Sequence, residues 1–138
     1  MNIDSITNGI VIDHIPAGSA MRLYDLLHLD RLDCSVAIIK NAHSSKDGKK
    51  DIIKIDEEIE LDFDLIGYLA PNAKINIIRN GKMVEKRPAT LPERLTNVIQ
   101  CKNPRCITTV EQELDQVFRL TDSTKREYRC IYCETKAN

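Results

Sequence analysis

The segments Cys101-Lys-Asn-Pro-Arg-Cys106 and Cys130-Ile-Tyr-Cys133 decide the fold of the last third of the chain. Two cysteines separated by two to four residues can turn back so that both thiolates reach one ion, and two such pairs complete the tetrahedron that zinc prefers. The spacing therefore predicts one zinc ion per chain, held by Cys101, Cys106, Cys130 and Cys133. Because four thiolates leave no position for water, the predicted role of the metal is structural.

Disulfide bonds are the alternative use of these cysteines. Bridges between residues so close in sequence would be strained, and the start Met1-Asn-Ile-Asp lacks the basic and apolar regions of a signal peptide. No apolar run approaches the length of a membrane span. The chain is therefore expected to be cytoplasmic, with reduced thiols and no membrane partner.

The length of 138 residues suits one ordinary domain or two small ones. A segment of about forty residues around the cysteines cannot bury enough apolar surface to fold without a metal, which favours two domains. The pattern of strands and helices stops between Pro88 and Pro92. We therefore predict an N-terminal domain over residues 1–92 and a zinc-binding domain over residues 93–138.

The N-terminal domain shows alternating and helical patterns in a recognisable order. The predicted elements are a strand over Ser5–Ile15, a helix capped by Ser19 and reaching Leu29, a strand over Asp33–Lys40, a polar loop over Asn41–Lys49, a strand over Lys50–Ile55, a helix over Glu57–Leu69, a strand over Lys74–Arg79 and a strand over Lys82–Lys86. Asn80-Gly81 is the favoured signal for a tight hairpin between the last two strands. The order predicts an α+β, ferredoxin-like fold, an antiparallel sheet with two helices on one face.

The zinc-binding domain is predicted to be a small antiparallel β domain. A ribbon over Glu111–Leu120, a charged loop over Thr121–Glu127 and a strand over Tyr128–Tyr132 would join the two cysteine pairs.

A second group of candidate functional residues lies in the N-terminal domain. Asp13 and His14 interrupt the apolar end of the first strand, and period-two alternation places Lys50 and Lys54 on one face of the third. Solvated surface residues are the plain interpretation. However, ammonium groups pair with phosphates, and a carboxylate accepts a hydrogen bond from a ribose hydroxyl. With Lys86, these residues indicate that an edge of the sheet could hold a nucleotide.

Four motifs in sequence order resemble the regulatory chain of aspartate carbamoyltransferase. They are Gly9-Ile-Val-Ile-Asp-His-Ile-Pro-Ala17, Lys50-Asp-Ile-Ile-Lys-Ile55, Leu91-Pro-Glu-Arg94 and the two cysteine pairs. The resemblance implies a non-catalytic subunit with a nucleotide-effector domain and a zinc domain that docks on the catalytic chain, which carries out carbamoyl transfer in pyrimidine biosynthesis. It implies allosteric regulation by CTP, UTP and ATP in a hetero-oligomer, together with a regulatory-chain homodimer.

The resemblance also implies the residues that contact the effector. These are Ser5, Ile6, Asp13, His14, Lys50, Lys54 and Lys86. Ser5 and Ile6 fall on the segment that lines the base pocket, and the other five contact ribose or phosphates.

Four positions depart from the family pattern. Gly81 and Met83 stand in the hairpin beside the base, so the resemblance does not fix the base preference. Arg105 and Ile131 stand in the cysteine pairs, so the docking contacts are expected to differ as well.

Two other classes of function are open. A zinc-ribbon nucleic-acid-binding module with an accessory α+β domain would show a basic stripe around the cysteines, yet acidic residues offset the basic ones there, and the net charge is −1. An enzyme that used Asp13 and His14 would need a third group to orient them, and none is evident. We therefore expect a regulatory subunit that is not itself an enzyme and has no nucleic-acid partner.

Overall fold

A computed structural model describes residues 6–46, 48–111 and 113–137. The chain divides into two compact units, Met1–Thr90 and Leu91–Asn138. Within the described ranges, none of the helices has the length and apolar character needed to cross a bilayer.

The N-terminal unit is a five-stranded antiparallel sheet with two α-helices. Its elements are β1 (Gly9–Pro16), α1 (Ala20–Leu26), a 3-10 turn (Leu29–Arg31), β2 (Val36–Ser44), β3 (Gly48–Ile55), α2 (Phe63–Leu69), β4 (Lys74–Arg79) and β5 (Lys82–Pro88). The strand order is β2-β3-β1-β4-β5, with every neighbouring pair antiparallel. The order of the first four strands is that of a ferredoxin-like sheet, to which β5 adds an edge. The predicted α+β fold class is confirmed.

The core of this unit lies between the helices and one face of the sheet. Ile10 and Ile12 of β1 and Ile53 of β3 are at most 2% exposed and form one cluster with Leu23 of α1 and Ile66 of α2. Because alternate strand residues point to opposite faces, the residues between these isoleucines lie on the other side of the sheet. The prediction that both helices cover one face is confirmed, and the face opposite the helices is called the open face below.

The predicted polar loop over Asn41–Lys49 is wrong. β2 continues to Ser44 and pairs with the start of β3, so the two strands form a hairpin. A register shift between Ile39 and Ala42, with Asn41 at φ 59°, interrupts the alternation. A bulge of this kind adds an unpaired residue, so a period-two pattern does not reveal the strand.

The boundaries of two other elements differ from prediction. β1 begins at Gly9, and Ser5 lies outside the described residues. α2 begins at Phe63, six residues after the predicted start at Glu57. The helix begins there because Asp62 caps it. The Asp62 carboxylate accepts a hydrogen bond from the backbone N–H of Leu65 at 3.1 Å.

One buried carboxylate ties the N-terminal unit together. Asp51 of β3 is 0% exposed and accepts hydrogen bonds from the backbone N–H groups of Gly18 at 2.9 Å, Ala20 at 3.2 Å and Asn41 at 2.9 Å. Its carboxylate pairs with backbone N–H groups at the start of α1, where the side chain of the predicted cap, Ser19, makes no capping hydrogen bond. Asp51 therefore joins the first helix and the β2 bulge to β3, the strand that carries Lys50.

Replacing this carboxylate is expected to destabilise the unit. Asp51→Ala would leave three backbone donors without an ionised acceptor, and we expect a fall of about 3 kcal/mol or more in the free energy of unfolding. Asp56→Ala is the control, because Asp56 is exposed beyond the end of β3, and a change within about 0.5 kcal/mol is expected. Urea denaturation measures both variants, and equal effects would contradict the role given to Asp51.

The C-terminal unit contains a three-stranded antiparallel sheet. Its elements are β6 (Arg94–Thr96), α3 (Ile107–Val110), β7 (Val117–Asp122) and β8 (Glu127–Cys130), in the order β6-β7-β8. Leu95, Phe118 and Tyr128 are at most 1% exposed and form its apolar centre. The predicted small β domain is confirmed, but the ribbon expected over Glu111–Leu120 is wrong in extent, since its strand begins only at Val117.

Candidate functional site

The four cysteines of the C-terminal unit converge on one point. Their sulfur atoms all lie within 4.8 Å of one another, with 3.5 Å between Cys101 and Cys133 and 3.6 Å between Cys106 and Cys130. Four sulfurs bound at about 2.3 Å to one tetrahedral ion would lie about 3.8 Å apart. A disulfide would require about 2.05 Å, and all four residues are free thiols. The cluster therefore fits a single tetrahedral metal ion.

Polar groups around the sulfurs orient the cluster and alter its acidity. Thr108 Oγ1 lies 3.1 Å from the Cys106 sulfur, and Thr135 Oγ1 lies 3.3 Å from that of Cys133. Burial raises the pKa of Cys101 to about 12. At Cys133, hydrogen bonds with Thr135, Asn103 and Cys101 together outweigh burial and lower the pKa to about 6. A metal bound by four thiolates must therefore displace protons, which makes its binding pH-dependent.

Removing the metal is expected to unfold the C-terminal unit. Its apolar centre is small, so the free energy of metal binding is also free energy of folding. Titrating the thiolates with a mercurial should release about one divalent ion per chain, measured by elemental analysis. Hydrogen exchange should then show loss of protection over Leu95–Cys130 while β1 and β3 stay protected. Absence of metal, or retained protection after its release, would contradict this assignment.

The open face carries the predicted nucleotide residues of β1, β3 and β5. The register pairs Lys54 with Val11, Val11 with Asn76, and Asn76 with Lys86, so these residues form one row across four strands. Neighbouring strands lie about 4.8 Å apart, so the two lysines stand about 14 Å apart across the sheet. Directly paired residues share a face. The structure therefore places Lys54 and Lys86 on the same face as Asp13.

Asp13 and Lys50 form an ion pair at one end of this face. Lys50 Nζ lies 3.0 Å from Asp13 Oδ1 and 3.2 Å from Oδ2, and the backbone N–H of His14 donates to Oδ1 at 2.7 Å. Partial burial disfavours the charged carboxylate of Asp13. Hydrogen bonds from Lys50 and from the His14 N–H outweigh this effect and lower the pKa of Asp13. His14 adopts φ 57° at the bulge between Ile12 and Ile15, which turns it toward Asp13, with 3.9 Å between Nε2 and the carboxylate.

The opposite end of the open face is formed by the hairpin and the segment that enters β1. Asn80 and Gly81 have φ 54° and 75°, as the predicted tight turn requires. The N–H of Gly81 donates to Thr7 O at 2.8 Å, which ties the turn to the segment that contains Ile6. Ile6 is 6% exposed. The residues assigned by resemblance to the base pocket, apart from Ser5 outside the described range, therefore lie near this hairpin.

Asn76 is a candidate site residue that the sequence reasoning missed. Its Oδ1 is buried and has no hydrogen-bond partner among the described residues. Leaving a buried acceptor without a hydrogen bond costs about 1–3 kcal/mol. A ligand that donates a hydrogen bond to this oxygen would recover that free energy on binding. The available signal was an amide flanked by Ile75 and Ile77 in a strand that is otherwise apolar at its centre.

Comparisons with known proteins agree over both units. Residues 1–90 match the family model described as aspartate carbamoyltransferase regulatory chain, allosteric domain, and residues 93–138 match its metal binding domain. A curated aspartate carbamoyltransferase regulatory chain from Bifidobacterium longum (strain NCC 2705) is 44% identical over 137 residues, which cover 99% of each chain. One from Clostridium botulinum (strain Hall) is 48% identical over 134 residues, covering 97% of this chain and 92% of the relative.

A third relative, from Clostridium tetani (strain Massachusetts), bears the same name and is 48% identical over 135 residues, covering 97% of this chain and 94% of the relative. Such chains are regulatory, non-catalytic subunits with an allosteric and a metal-binding domain. The expectation of a regulatory subunit that is not itself an enzyme is thereby confirmed.

Proposed function

This chain belongs to the aspartate carbamoyltransferase regulatory chain family, and we propose that it binds nucleotide effectors on its open face and contacts the catalytic chain of that enzyme through its metal-binding domain. The effector domain comprises residues 1–92, and the metal-binding domain comprises residues 93–138. Effector binding regulates the first committed chemistry of pyrimidine biosynthesis, which the catalytic chain performs.

The observation that carries the effector proposal is the row of residues across the open face. Lys54 and Lys86 flank Val11 and the amide oxygen of Asn76, which has no hydrogen-bond partner in the described part of the chain. Asp13 and Lys50 lie at the next step along the strands. An apolar floor, an amide for hydrogen bonding and ammonium groups on both sides suit a nucleotide.

The proposed effectors are CTP, UTP and ATP, which compete for this one site. All three present a ribose and a triphosphate to the lysines, so discrimination must come from the base. The turn at Gly81 adds no side chain there, and Met83 is 56% exposed and can pack on either ring size. Ser5, Ile6, Asp13, His14, Lys50, Lys54 and Lys86 remain the proposed contacts.

We propose zinc as the metal at the cysteine cluster, one ion per chain. Four thiolates at tetrahedral spacing are the donor set of structural zinc sites, and soft sulfur ligands disfavour magnesium and calcium. The Cys106 and Cys130 sulfurs are buried, so the ion would be shielded from water on that side.

The proposed partner of the metal-binding domain is the catalytic chain, and the C-terminal unit carries exposed apolar residues that could serve in contact. Ile107 is 50% exposed, Val110 is 72% exposed and Tyr132 is 44% exposed. Glu127 pairs with Lys136 at 3.2 Å and with Arg129 at 3.4 Å. This neutralisation weighs against a nucleic-acid partner, which would need uncompensated basic groups.

A homodimer of regulatory chains and a cytoplasmic location complete the proposal. The sheet of the N-terminal unit ends in the edge strands β2 and β5, and all of β5 is exposed. Exposed edges can accept a further strand or pack against a second copy. The free thiols of all five cysteines suit a reducing compartment.

Loss of one metal ligand is expected to separate docking from effector binding. Cys101→Ser should abolish association with the catalytic chain, because the metal-binding domain unfolds, while CTP still binds the N-terminal unit. Native mass spectrometry of the mixed chains and calorimetry with CTP measure the two properties. Loss of both together would show that the two domains do not act independently.

The nucleotide site is tested by Lys54→Ala in the full chain. Removing one charge-assisted hydrogen bond should cost about 1.5–3 kcal/mol, which is at least about tenfold in CTP affinity. Assembly with catalytic chains should persist, and the activity response to CTP and ATP should flatten, because a ligand shifts an equilibrium only by its differential affinity.

Lys49→Ala provides a matched control for this variant. Lys49 lies on the same strand, one residue before Lys50. Alternation therefore points it to the helix-covered side of the sheet, where it is exposed. Its replacement should leave CTP affinity unchanged. CTP binding by Lys54→Ala that equals binding by the parent chain would remove Lys54 from the site.

A further inference from the structure

Lys74, the first residue of β4, is a cation on the open face. The register pairs it with Asp13 of β1 on one side and with Pro88 of β5 on the other. The next residue, Ile75, is 0% exposed in the core under the helices. Alternation therefore places Lys74 on the open face, where it is half-buried.

The ammonium of Lys74 is not neutralised by its cross-strand neighbour. The carboxylate of Asp13 is held instead by Lys50, at 3.0 Å. No carboxylate among the described residues forms an ion pair with Lys74. On its other side Pro88 supplies neither charge nor backbone N–H, and Glu85 of β5 pairs with Ile77 and so lies on the helix-covered side. A half-buried ammonium without a counter-charge favours an anionic ligand.

The charges of the open face add to this preference. Among its described strand positions, four lysines face a single carboxylate, that of Asp13. The lysines are Lys50, Lys54, Lys74 and Lys86. The excess of positive charge on one sheet face suits a ligand with several negative charges, such as a polyphosphate.

The position of Lys74 along the strand indicates which part of the ligand it meets. Ile78 pairs with Met83 at the apolar, hairpin end of the face, Asn76 lies two residues further, and Lys74 two residues beyond that. At about 3.3 Å per residue, Lys74 stands about 13 Å from the level of Ile78. A nucleotide with its base at the hairpin would extend its phosphates toward Lys74.

We propose that Lys74 is a further effector-binding residue, which contacts the phosphates farthest from the base of a bound nucleoside triphosphate. This inference rests on the proposed function of the open face. Lys74 works with Lys50 at the ionic end of the face, while Lys54 and Lys86 act on the ribose and the nearer phosphates. The contact makes the site sensitive to the number of phosphates on the ligand.

The test compares CTP with CMP in calorimetric titrations of the full 138-residue chain. Lys74→Met keeps the length of the side chain and removes its charge. It should weaken CTP binding at least about tenfold, the usual effect of losing a charge-assisted hydrogen bond, and change CMP binding less than about twofold. Lys74→Gln, a polar replacement for use if methionine impairs folding, should give the same result. Lys74→Arg keeps the cation and should bind CTP more tightly than either.

Lys49→Met is the control, since it removes the same charge from the other face of the sheet. CTP affinity of Lys74→Met and Lys74→Gln equal to that of Lys49→Met would overturn the inference, as would equal losses for CTP and CMP. Failure of the parent chain to bind CTP would instead overturn the proposed function of the open face.

Discussion

The register of β1 between β3 and β4 is the constraint on which the N-terminal unit depends. Ile10 and Ile12 of β1 point into the core, and the same alternation sends Val11 and Asp13 to the open face. A slip of one residue would exchange the two sets, burying Asp13 and exposing the isoleucines. The hydrophobic free energy of the core therefore also holds the cations of the neighbouring strands in one row. The register that forms the core therefore also positions the candidate site residues.

Two backbone features make this sheet depart from regular geometry at the ends of β1. A Cβ at Gly9 would lie 2.1 Å from Ile55 O, so only glycine allows β1 and β3 to approach as closely as they do where β1 begins. At the other end of β1, the bulge places His14 beside Asp13 although consecutive strand residues ordinarily face opposite sides. Asp51, fully buried beneath Lys50, joins that end of the sheet to α1. The ionic end of the open face is consequently its most firmly supported part.

Sequence patterns predict features that depend on local chemistry and miss those that depend on long-range contacts. The Asn80-Gly81 turn was predictable because positive φ is needed at both positions. The convergence of the cysteines was predictable because their spacing has few structural uses. The second half of β2 was hidden by its bulge at Asn41, whose backbone N–H is satisfied by a side chain ten residues away. Asn76 was missed because its unpaired oxygen is visible only once the strands on both sides are placed.

The two units obtain their stability from different sources, and this bears on regulation. The N-terminal unit is held by a large aliphatic core, so the proposed effector site can bind and release ligands while the sheet stays intact. The C-terminal unit has only a small apolar centre around Phe118 and Tyr128 and relies on the four thiolates. Because each unit is held by its own interactions, the proposed binding of an effector would alter the energetics of the proposed assembly only through differences in contact between states. A sheet that concentrates positive charge on one face suits the proposed binding of effectors, and a unit held by a four-cysteine metal site suits the proposed contact with the catalytic chain.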